Sequence, residues 1–320
     1  MFLSSLRSHL SSTLPSIRFA RRSYAAMTKP IIVVFAATGK SGSGMIDAIL
    51  DDKDQQFAAR AVTRNPNSES AQALAARGVD VVQADLNDPV TLAKVMDGAY
   101  GVFGVTDFWQ AFMAEEKQGK DMVDAAQGSR VKHFVWTTLD HSKWEVPHFE
   151  TKARVDDYLK GTGLPRTSLY LSFFIENFRS GIRKTHSGKV TFESAFPTDG
   201  KLPVISAFDI GYWALAAFKD PDRWINQDMK VCTEIVTPRQ VAKYVEEASG
   251  HKVHIHEIGQ EQWKEKNTPQ FSELWRNIDM FNHLADTPGF RDIELSNKLV
   301  PHARKTKELI TTWVHQLESS

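Results

Sequence analysis

A glycine-rich turn near the start of the chain has the residue types needed to hold a phosphate group. Gly39 and Gly42 follow five apolar residues at positions 31–35 and precede a helical pattern at 45–50. A diphosphate binds close to backbone N–H groups at a helix N-terminus, and a side chain at either glycine would hold it away. The turn therefore predicts a dinucleotide-binding site. Its predicted loop residues are Ala37, Thr38, Gly39, Lys40, Ser41 and Gly42.

The glycine spacing departs from the usual G-x-x-G-x-x-G pattern at its first position, which is Ala36. Alanine adds only a methyl group where the chain leaves the strand, so we expect the turn to tolerate it. The triplet Gly39-Lys40-Ser41 also resembles the end of a nucleotide-triphosphatase loop, which needs a glycine five residues before Gly39. Val34 occupies that position, which excludes this second interpretation.

The end of the second predicted strand indicates which dinucleotide fits. An NAD-selective site has Asp or Glu about 20 residues beyond the glycine loop, whereas the 2′-phosphate of NADP needs a cation. Here the strand ends at Arg64, and Lys40 lies in the glycine loop. Arg64 can bind a phosphate bidentately with support from Lys40, so the sequence predicts NADP(H). The alternative is that both cations are solvated loop side chains. We expect the adenine and the central part of the cofactor to contact Asp85, Leu86, Val105 and Thr106.

Strand and helix patterns alternate along the first half of the chain with short connections. The predicted strands lie at 31–35, 57–63, 79–83, 101–106, 133–138 and 167–171, and a long helix is predicted at 111–127. This alternation predicts an α/β fold with a doubly wound parallel Rossmann sheet. Beyond residue 178 the alternation fades. We therefore expect an NADP-binding domain at 29–178 and a smaller C-terminal α+β lobe at 179–320 that closes the cleft over a substrate or a partner.

Composition excludes several other classes of protein. The 320 residues contain 39 basic and 39 acidic side chains without a basic stripe, which argues against direct binding of nucleic acid. The single cysteine, Cys232, rules out an intrachain disulfide framework and is expected to be buried in a strand. His254 and His256 have the spacing of an exposed strand face without a completing carboxylate or cysteine pattern, so we predict no metal site.

The first 28 residues differ from the rest of the chain. They contain four arginines, many serines and no acid, while Leu3, Leu6, Leu10 and Leu14 recur at helical spacing. This composition is typical of a mitochondrial presequence, and the apolar run is too short and too often interrupted by serine for a membrane span. We expect import into the matrix after cleavage behind Tyr24. Initiation at Met27 would instead leave the protein in the cytoplasm.

Four segments in combination resemble the NmrA-like family of atypical short-chain dehydrogenases. They are residues 36–42 (Ala-Ala-Thr-Gly-Lys-Ser-Gly), 62–66 (Val-Thr-Arg-Asn-Pro), 83–85 (Gln-Ala-Asp) and 171–178 (Leu-Ser-Phe-Phe-Ile-Glu-Asn-Phe). The resemblance implies a Rossmann domain with a small C-terminal lobe and bound NADP(H). The chain departs from the family at Ala36, where glycine is usual, and at Ser172, where proline is common. Family members are either reductases or nicotinamide-sensing regulators that bind partner proteins such as GATA-type transcription factors.

The catalytic residues expected from this resemblance lie near residue 150. Short-chain dehydrogenases use Tyr-x-x-x-Lys at the start of a helix, where the two side chains share a face. Here His148 replaces the tyrosine and Lys152 keeps its place, while Thr138 stands where these enzymes have serine. His148 could donate a proton near neutral pH, with Lys152 as base or ribose ligand. The same residues could equally belong to a protein that only holds the cofactor.

Residues after the sixth strand should line the nicotinamide end of the cleft. We expect Phe174 and Asn177 to contact the cofactor and Phe173 and Glu176 to face the substrate, although aromatic pairs often serve only as core packing. Two functions follow from these expectations. One is an NADPH-dependent reductase of a small carbonyl or conjugated substrate, and the other is a non-catalytic NADPH/NADP sensor that regulates a protein partner.

Overall fold

The computed structural model describes residues 29–184, 189–268, 274–285 and 287–318. The predicted presequence at 1–28 lies outside the described residues. The strands are β1 (Ile31–Val34), β2 (Ala58–Thr63), β3 (Asp80–Gln83), β4 (Gly101–Gly104), β5 (His133–Thr138), β6 (Arg166–Tyr170), β7 (Phe173–Phe174), β8 (Ile182–Lys184), β9 (Val190–Ser194), β10 (Leu202–Ile205), β11 (Gln227–Lys230), β12 (Glu234–Val236) and β13 (Val253–Glu257).

Helices alternate with the first strands and dominate the second half of the chain. They are α1 (Lys40–Asp51), α2 (Glu69–Ala76), α3 (Pro89–Met96), α4 (Phe108–Ala111), α5 (Ala114–Gly128), α6 (Pro147–Thr162), α7 (Ile210–Lys219), α8 (Pro221–Trp224), α9 (Pro238–Ser249), α10 (Gln260–Lys266), α11 (Trp275–Leu284), α12 (Ile293–Leu299) and α13 (Thr306–Glu318). A 3₁₀ helix spans Ile175–Gly181.

The central sheet has seven parallel strands in the order β3-β2-β1-β4-β5-β6-β11. Strand order reverses between β1 and β4, and ligands of open α/β sheets bind outside the carboxyl ends of the strands at such a reversal. β4 and β5 are buried along their whole length, as expected for strands covered by helices on both faces. The predicted doubly wound α/β fold is confirmed, and the described residues add two three-stranded sheets, β12-β10-β7 and β13-β9-β8.

The long helix predicted at 111–127 is wrong in its first turn. Asp107 caps a separate one-turn helix, α4, by accepting a hydrogen bond from the backbone N–H of Trp109 at 3.0 Å. Phe112 then adopts φ +48°, in the left-handed region, and ends α4 before α5 begins at Ala114. A left-handed residue cannot continue a right-handed helix, so the chain changes direction here. The change places α4 beside the carboxyl edge of the sheet.

The second half of the chain packs directly on the helix that follows the glycine turn. A Cβ atom on Gly44 would lie 2.2 Å from the carbonyl oxygen of Phe208, and one on Gly211 would lie 2.2 Å from Cα of Met45. Only glycine allows α1 and α7 to approach so closely. β11, which also comes from beyond residue 178, completes the central sheet next to β6. The C-terminal residues therefore help to fix the orientation of α1.

Candidate functional site

The glycine turn presents the N-terminus of α1 at the carboxyl end of β1. Gly39 is the N-cap residue and has no side chain to accept a hydrogen bond from the first turn, and that turn contains no acidic residue. The first backbone N–H groups of a helix have no partner within the helix, and the helix dipole favours an anion there. A Cβ atom on Gly42 would lie 2.1 Å from the carbonyl oxygen of Ala36, so the turn requires glycine at this position. This arrangement suits a diphosphate.

Ala36 adopts the backbone conformation that the usual glycine would take. Its φ is +47°, in the left-handed region that residues other than Gly, Asn and Asp rarely enter. Its carbonyl oxygen accepts a hydrogen bond from the backbone N–H of Gly39 at 2.9 Å, which closes the turn. The departure from the glycine pattern is therefore accommodated with local backbone strain rather than by a different turn.

The two predicted phosphate-binding cations are exposed. Arg64 follows β2 and Lys40 begins α1, so both lie at the carboxyl edge of the sheet. Arg64 donates a hydrogen bond from Nη2 to Oε1 of Gln110 at 2.7 Å. Asp85 is also exposed, and its Oδ1 atom accepts hydrogen bonds from the backbone and the side chain of Asn87 at 2.9 and 3.0 Å. Leu86 beside it is half-buried.

A buried ion pair lies beneath the centre of the predicted cleft. Lys152 donates from Nζ to Oε1 of Glu115 at 2.6 Å, and also to the backbone oxygen and the Oγ1 atom of Thr106 at 3.0 and 3.1 Å. The Glu115 side chain is 0% exposed and that of Lys152 is 12% exposed. Thr106 and Thr151 donate further hydrogen bonds to the carboxylate at 2.8 and 2.5 Å. Lys152 and Thr106 are therefore in direct contact, and all three ammonium donors of Lys152 are used within the protein.

His148 is placed next to this pair, with its ring covered by α4. Burial, and then the charge of Lys152, lower its pKa to about 3, so the imidazole is neutral at pH 7. Its Nδ1 atom is buried and has no hydrogen-bond partner among the described residues. Its ring packs 5.2 Å from that of Trp109 and 4.9 Å from that of Phe149, measured between centroids. Burial under α4 therefore argues against titration near neutral pH, and the role of His148 as a proton donor stays a prediction.

Thr138, the third predicted catalytic residue, makes hydrogen bonds to the backbone at the end of β5. Its side chain is 0% exposed, and its Oγ1 atom donates to the backbone oxygens of Leu139 and Lys152 at 3.3 and 3.2 Å. The indole Nε1 atom of Trp136 donates to the same Lys152 oxygen at 3.3 Å. These hydrogen bonds attach α6 to the end of β5. The hydroxyl group therefore positions the lysine backbone.

The residues after β6 lie in two different environments. Phe173 packs in an aromatic cluster, 5.4 Å from Phe178, 5.3 Å from Phe196 and 5.9 Å from Phe281 between ring centroids. Glu176 accepts hydrogen bonds from the Ser206 hydroxyl at 2.6 Å and from the Ala207 backbone N–H at 3.0 Å. Both of its oxygens hold the loop that precedes α7, so a substrate contact for Glu176 has no support. Phe174 is half-buried, Asn177 is exposed, and Val105 is buried.

Two charged residues of the site were not predicted. The sequence around Glu115 does not indicate that it pairs with Lys152, because only the fold brings the start of α5 against α6. Arg291 donates to the backbone oxygen of Leu171 and, at 2.7 Å, to Oδ2 of Asp140. Its side chain is 3% exposed. Arg291 thus joins the segments that follow β5 and β6, and the distance of 151 residues from Asp140 hides this contact in the sequence.

Other predicted features lie away from this site. Cys232 is buried as expected, but it lies between β11 and β12 and not within a strand. Burial raises its thiol pKa, consistent with simple packing. His254 and His256 are exposed on β13, and the described residues contain no group of three or more His, Cys, Asp or Glu side chains that could hold a metal ion. None of the described helices is long and apolar enough to cross a membrane. A depression of about 650 Å³ lined by Glu150 and Arg154 lies on the face of α6 opposite Lys152.

The strand order and the uncapped glycine turn define an α/β protein of the Rossmann type. A model of the NmrA-like family matches residues 28–313, and the chain belongs to this family. The predicted family is therefore confirmed. The NmrA-like family domain-containing oxidoreductase hkm9 of Aspergillus hancockii is 29% identical over 287 residues, which are 82% of this chain and 84% of that protein.

Solved structures show the same fold. NmrA, a negative transcriptional regulator, has a TM-score of 0.79 at 23% identity, and the match covers 91% of this chain and 98% of NmrA. NmrA has been solved in complex with NADP and with NAD. The NADPH-dependent quinone oxidoreductase QOR2 of Escherichia coli, complexed with NADPH, has a TM-score of 0.71 at 21% identity, covering 88% of this chain and 99% of QOR2.

Proposed function

We propose that this protein binds NADP(H) across the carboxyl ends of β1, β2 and β4. The observation that carries the proposal is the α1 N-terminus, where Gly39 and Gly42 leave backbone amides free of any side-chain cap. Those amides would hold the pyrophosphate, and the exposed guanidinium of Arg64, with Lys40, would bind the 2′-phosphate. The NADP complex of NmrA and the NADPH complex of QOR2 support the assignment.

We further propose that the protein is a reductase of conjugated acceptors. NADPH supplies a hydride when it is bound. Each described side chain near this site that could act as an acid is engaged or neutral. Lys152 donates its hydrogen bonds to Glu115 and Thr106, His148 is neutral, and Thr138 donates to the backbone. An acceptor such as a quinone or an enone suits this site, because after taking a hydride it forms a stabilised anion that water can protonate. The similarity to the oxidoreductase hkm9 and to the quinone oxidoreductase QOR2 supports a reductase.

Stopped-flow oxidation of NADPH against a panel of quinones, enones and simple ketones tests this proposal. We expect turnover with quinones or enones and none with simple ketones. His148→Gln should lose less than about tenfold in rate, whereas loss of a general acid costs about 10²–10⁴-fold. A loss in that larger range would show that His148 does move the proton. Turnover of simple ketones would refute the acceptor class.

The second candidate is a redox sensor that binds a partner differently with and without NADPH. Two observations favour it: the Lys152 donors are all engaged within the protein, and the fold matches the regulator NmrA with a TM-score of 0.79. NADPH binding without turnover of any acceptor in the panel would support the sensor. Import into the mitochondrial matrix would argue against a transcription-factor partner.

We also propose that the first 24 residues direct mitochondrial import and are removed. The proposal rests on the arginine-rich, acid-free composition of this segment. Mass spectrometry of the mature N-terminus tests it, with Ala25 as the expected first residue. A chain that begins at Met27 or Thr28 would instead indicate a cytoplasmic form.

A further inference from the structure

The short helix α4 contacts both ends of the proposed cofactor site. At the adenosine end, Oε1 of Gln110 accepts the Nη2 hydrogen bond of Arg64 at 2.7 Å. At the other end, the ring of Trp109 lies 5.2 Å from that of His148, which lies in the first turn of α6, the helix that carries Lys152. Gln110 therefore contacts Arg64, the cation proposed for the 2′-phosphate. Its neighbour Trp109 contacts His148, whose ring lies beside the buried ion pair.

The orientation of the Gln110 amide is fixed within α4. Its Nε2 atom donates to Oδ2 of Asp107 at 2.6 Å, while Oδ1 of the same carboxylate caps the helix at the backbone N–H of Trp109. This orientation turns the amide oxygen towards Arg64. No other hydrogen bond to the Arg64 guanidinium is found within the described residues.

We propose that Gln110 moderates the preference for NADPH by competing with the 2′-phosphate for Arg64. The Nη2 nitrogen carries one N–H group in each of the two forks through which a guanidinium binds a phosphate bidentately. The amide oxygen of Gln110 accepts from one of these N–H groups and so opposes phosphate binding through that fork. NADH has no 2′-phosphate and leaves the Arg64–Gln110 contact intact. Gln110 therefore lowers the affinity for NADPH and leaves that for NADH unchanged, which moderates a selectivity that Arg64 alone would make stronger. This inference rests on the proposed NADP(H) function.

Titration calorimetry with NADPH and NADH on Gln110 variants of the whole protein tests the inference. Gln110→Ala should bind NADPH roughly two- to tenfold tighter, the range that corresponds to loss of one competing hydrogen bond. Gln110→Glu should bind NADPH more weakly, because an ion pair with Arg64 competes more strongly. Neither change should alter NADH affinity. The matched control is Gln83→Ala, since Gln83 donates to the backbone oxygen of Arg64 and leaves the guanidinium untouched.

The effect must also depend on Arg64. On an Arg64→Ala background, Gln110→Ala should leave NADPH affinity unchanged. Weaker NADPH binding by Gln110→Ala would overturn the inference by showing that the amide contacts the cofactor, and an unchanged affinity would overturn it as well. These outcomes differ from failure of the proposed function itself, in which the unmodified protein would bind neither dinucleotide.

Discussion

Replacing Lys152 by methionine should destabilise the fold strongly, whatever it does to activity. The substitution leaves the Glu115 carboxylate, which is 0% exposed, without its counter-charge. Breaking a buried ion pair by removing one partner costs about 3–5 kcal/mol. Two hydrogen bonds to the carboxylate remain, from Thr106 and Thr151, so we expect about 3 kcal/mol, at the lower end of that range.

Urea unfolding followed by circular dichroism measures this loss. The matched control is Lys117→Met, which breaks an ion pair with Asp121 of similar length, 2.5 Å between Nζ and Oδ2. This pair lies on the surface, where the Lys117 side chain is 73% exposed. Exposed pairs four residues apart contribute only about 0.3–0.5 kcal/mol. The double variant Lys152→Met with Glu115→Gln removes both buried charges and should recover most of the lost stability.

A loss below about 1 kcal/mol for Lys152→Met would refute the reasoning, because the carboxylate would then have water or another cation available. A double variant as unstable as the single one would refute it too. The consequence for enzymology is direct. A rate loss in Lys152→Ala alone does not identify a catalytic lysine, and rates should be compared in the variant that also carries Glu115→Gln.

Three further predictions concern the turn and the core. Gly42→Ala should lower the unfolding free energy by about 1–3 kcal/mol in urea, because its methyl group would lie 2.1 Å from the Ala36 carbonyl oxygen; full stability would contradict the turn. Ala36→Gly should stabilise the protein by up to about 1 kcal/mol by relieving the strain at φ +47°, and a clear loss would argue against that conformation. Burial lowers the pKa of His133 from 6.5 to about 4 in the folded protein. As the pH falls, this histidine is therefore protonated in the unfolded chain before it is protonated in the folded protein. Stability should fall by roughly 3 kcal/mol as the pH drops from 6.5 to 4, and His133→Gln should flatten that fall.

Local sequence signals were sufficient for most of the central sheet. Apolar runs predicted six of its strands. The start of α3 is equally local: the Asp88 side chain accepts a hydrogen bond from the backbone N–H of Val90, and Pro89 lies in the first turn. These features depend on nearest neighbours along the chain. The seventh strand, β11, was missed because an exposed edge strand of four residues, Gln227–Lys230, has little apolar content.

The chemistry of the site depends on contacts that no local pattern contains. Lys152 was predicted from its spacing, but its partner Glu115 lies 37 residues away on another helix. His148 was expected to titrate near neutral pH, yet Trp109 from α4 covers it. That helix is separate from α5 because Phe112 adopts a left-handed conformation and ends it. Phenylalanine has no intrinsic tendency to take this conformation. Burial of titratable groups was therefore the least predictable feature.

Calorimetric titration of the purified protein with NADPH and with NADH, repeated on Arg64→Ala, tests the central claim most directly. We predict saturable binding of NADPH, weakened in Arg64→Ala by about 1.5–3 kcal/mol, with NADH affinity nearly unchanged by the substitution. Equal losses for both dinucleotides would refute the role of Arg64. The absence of heat with either one would contradict a nucleotide site at the start of α1.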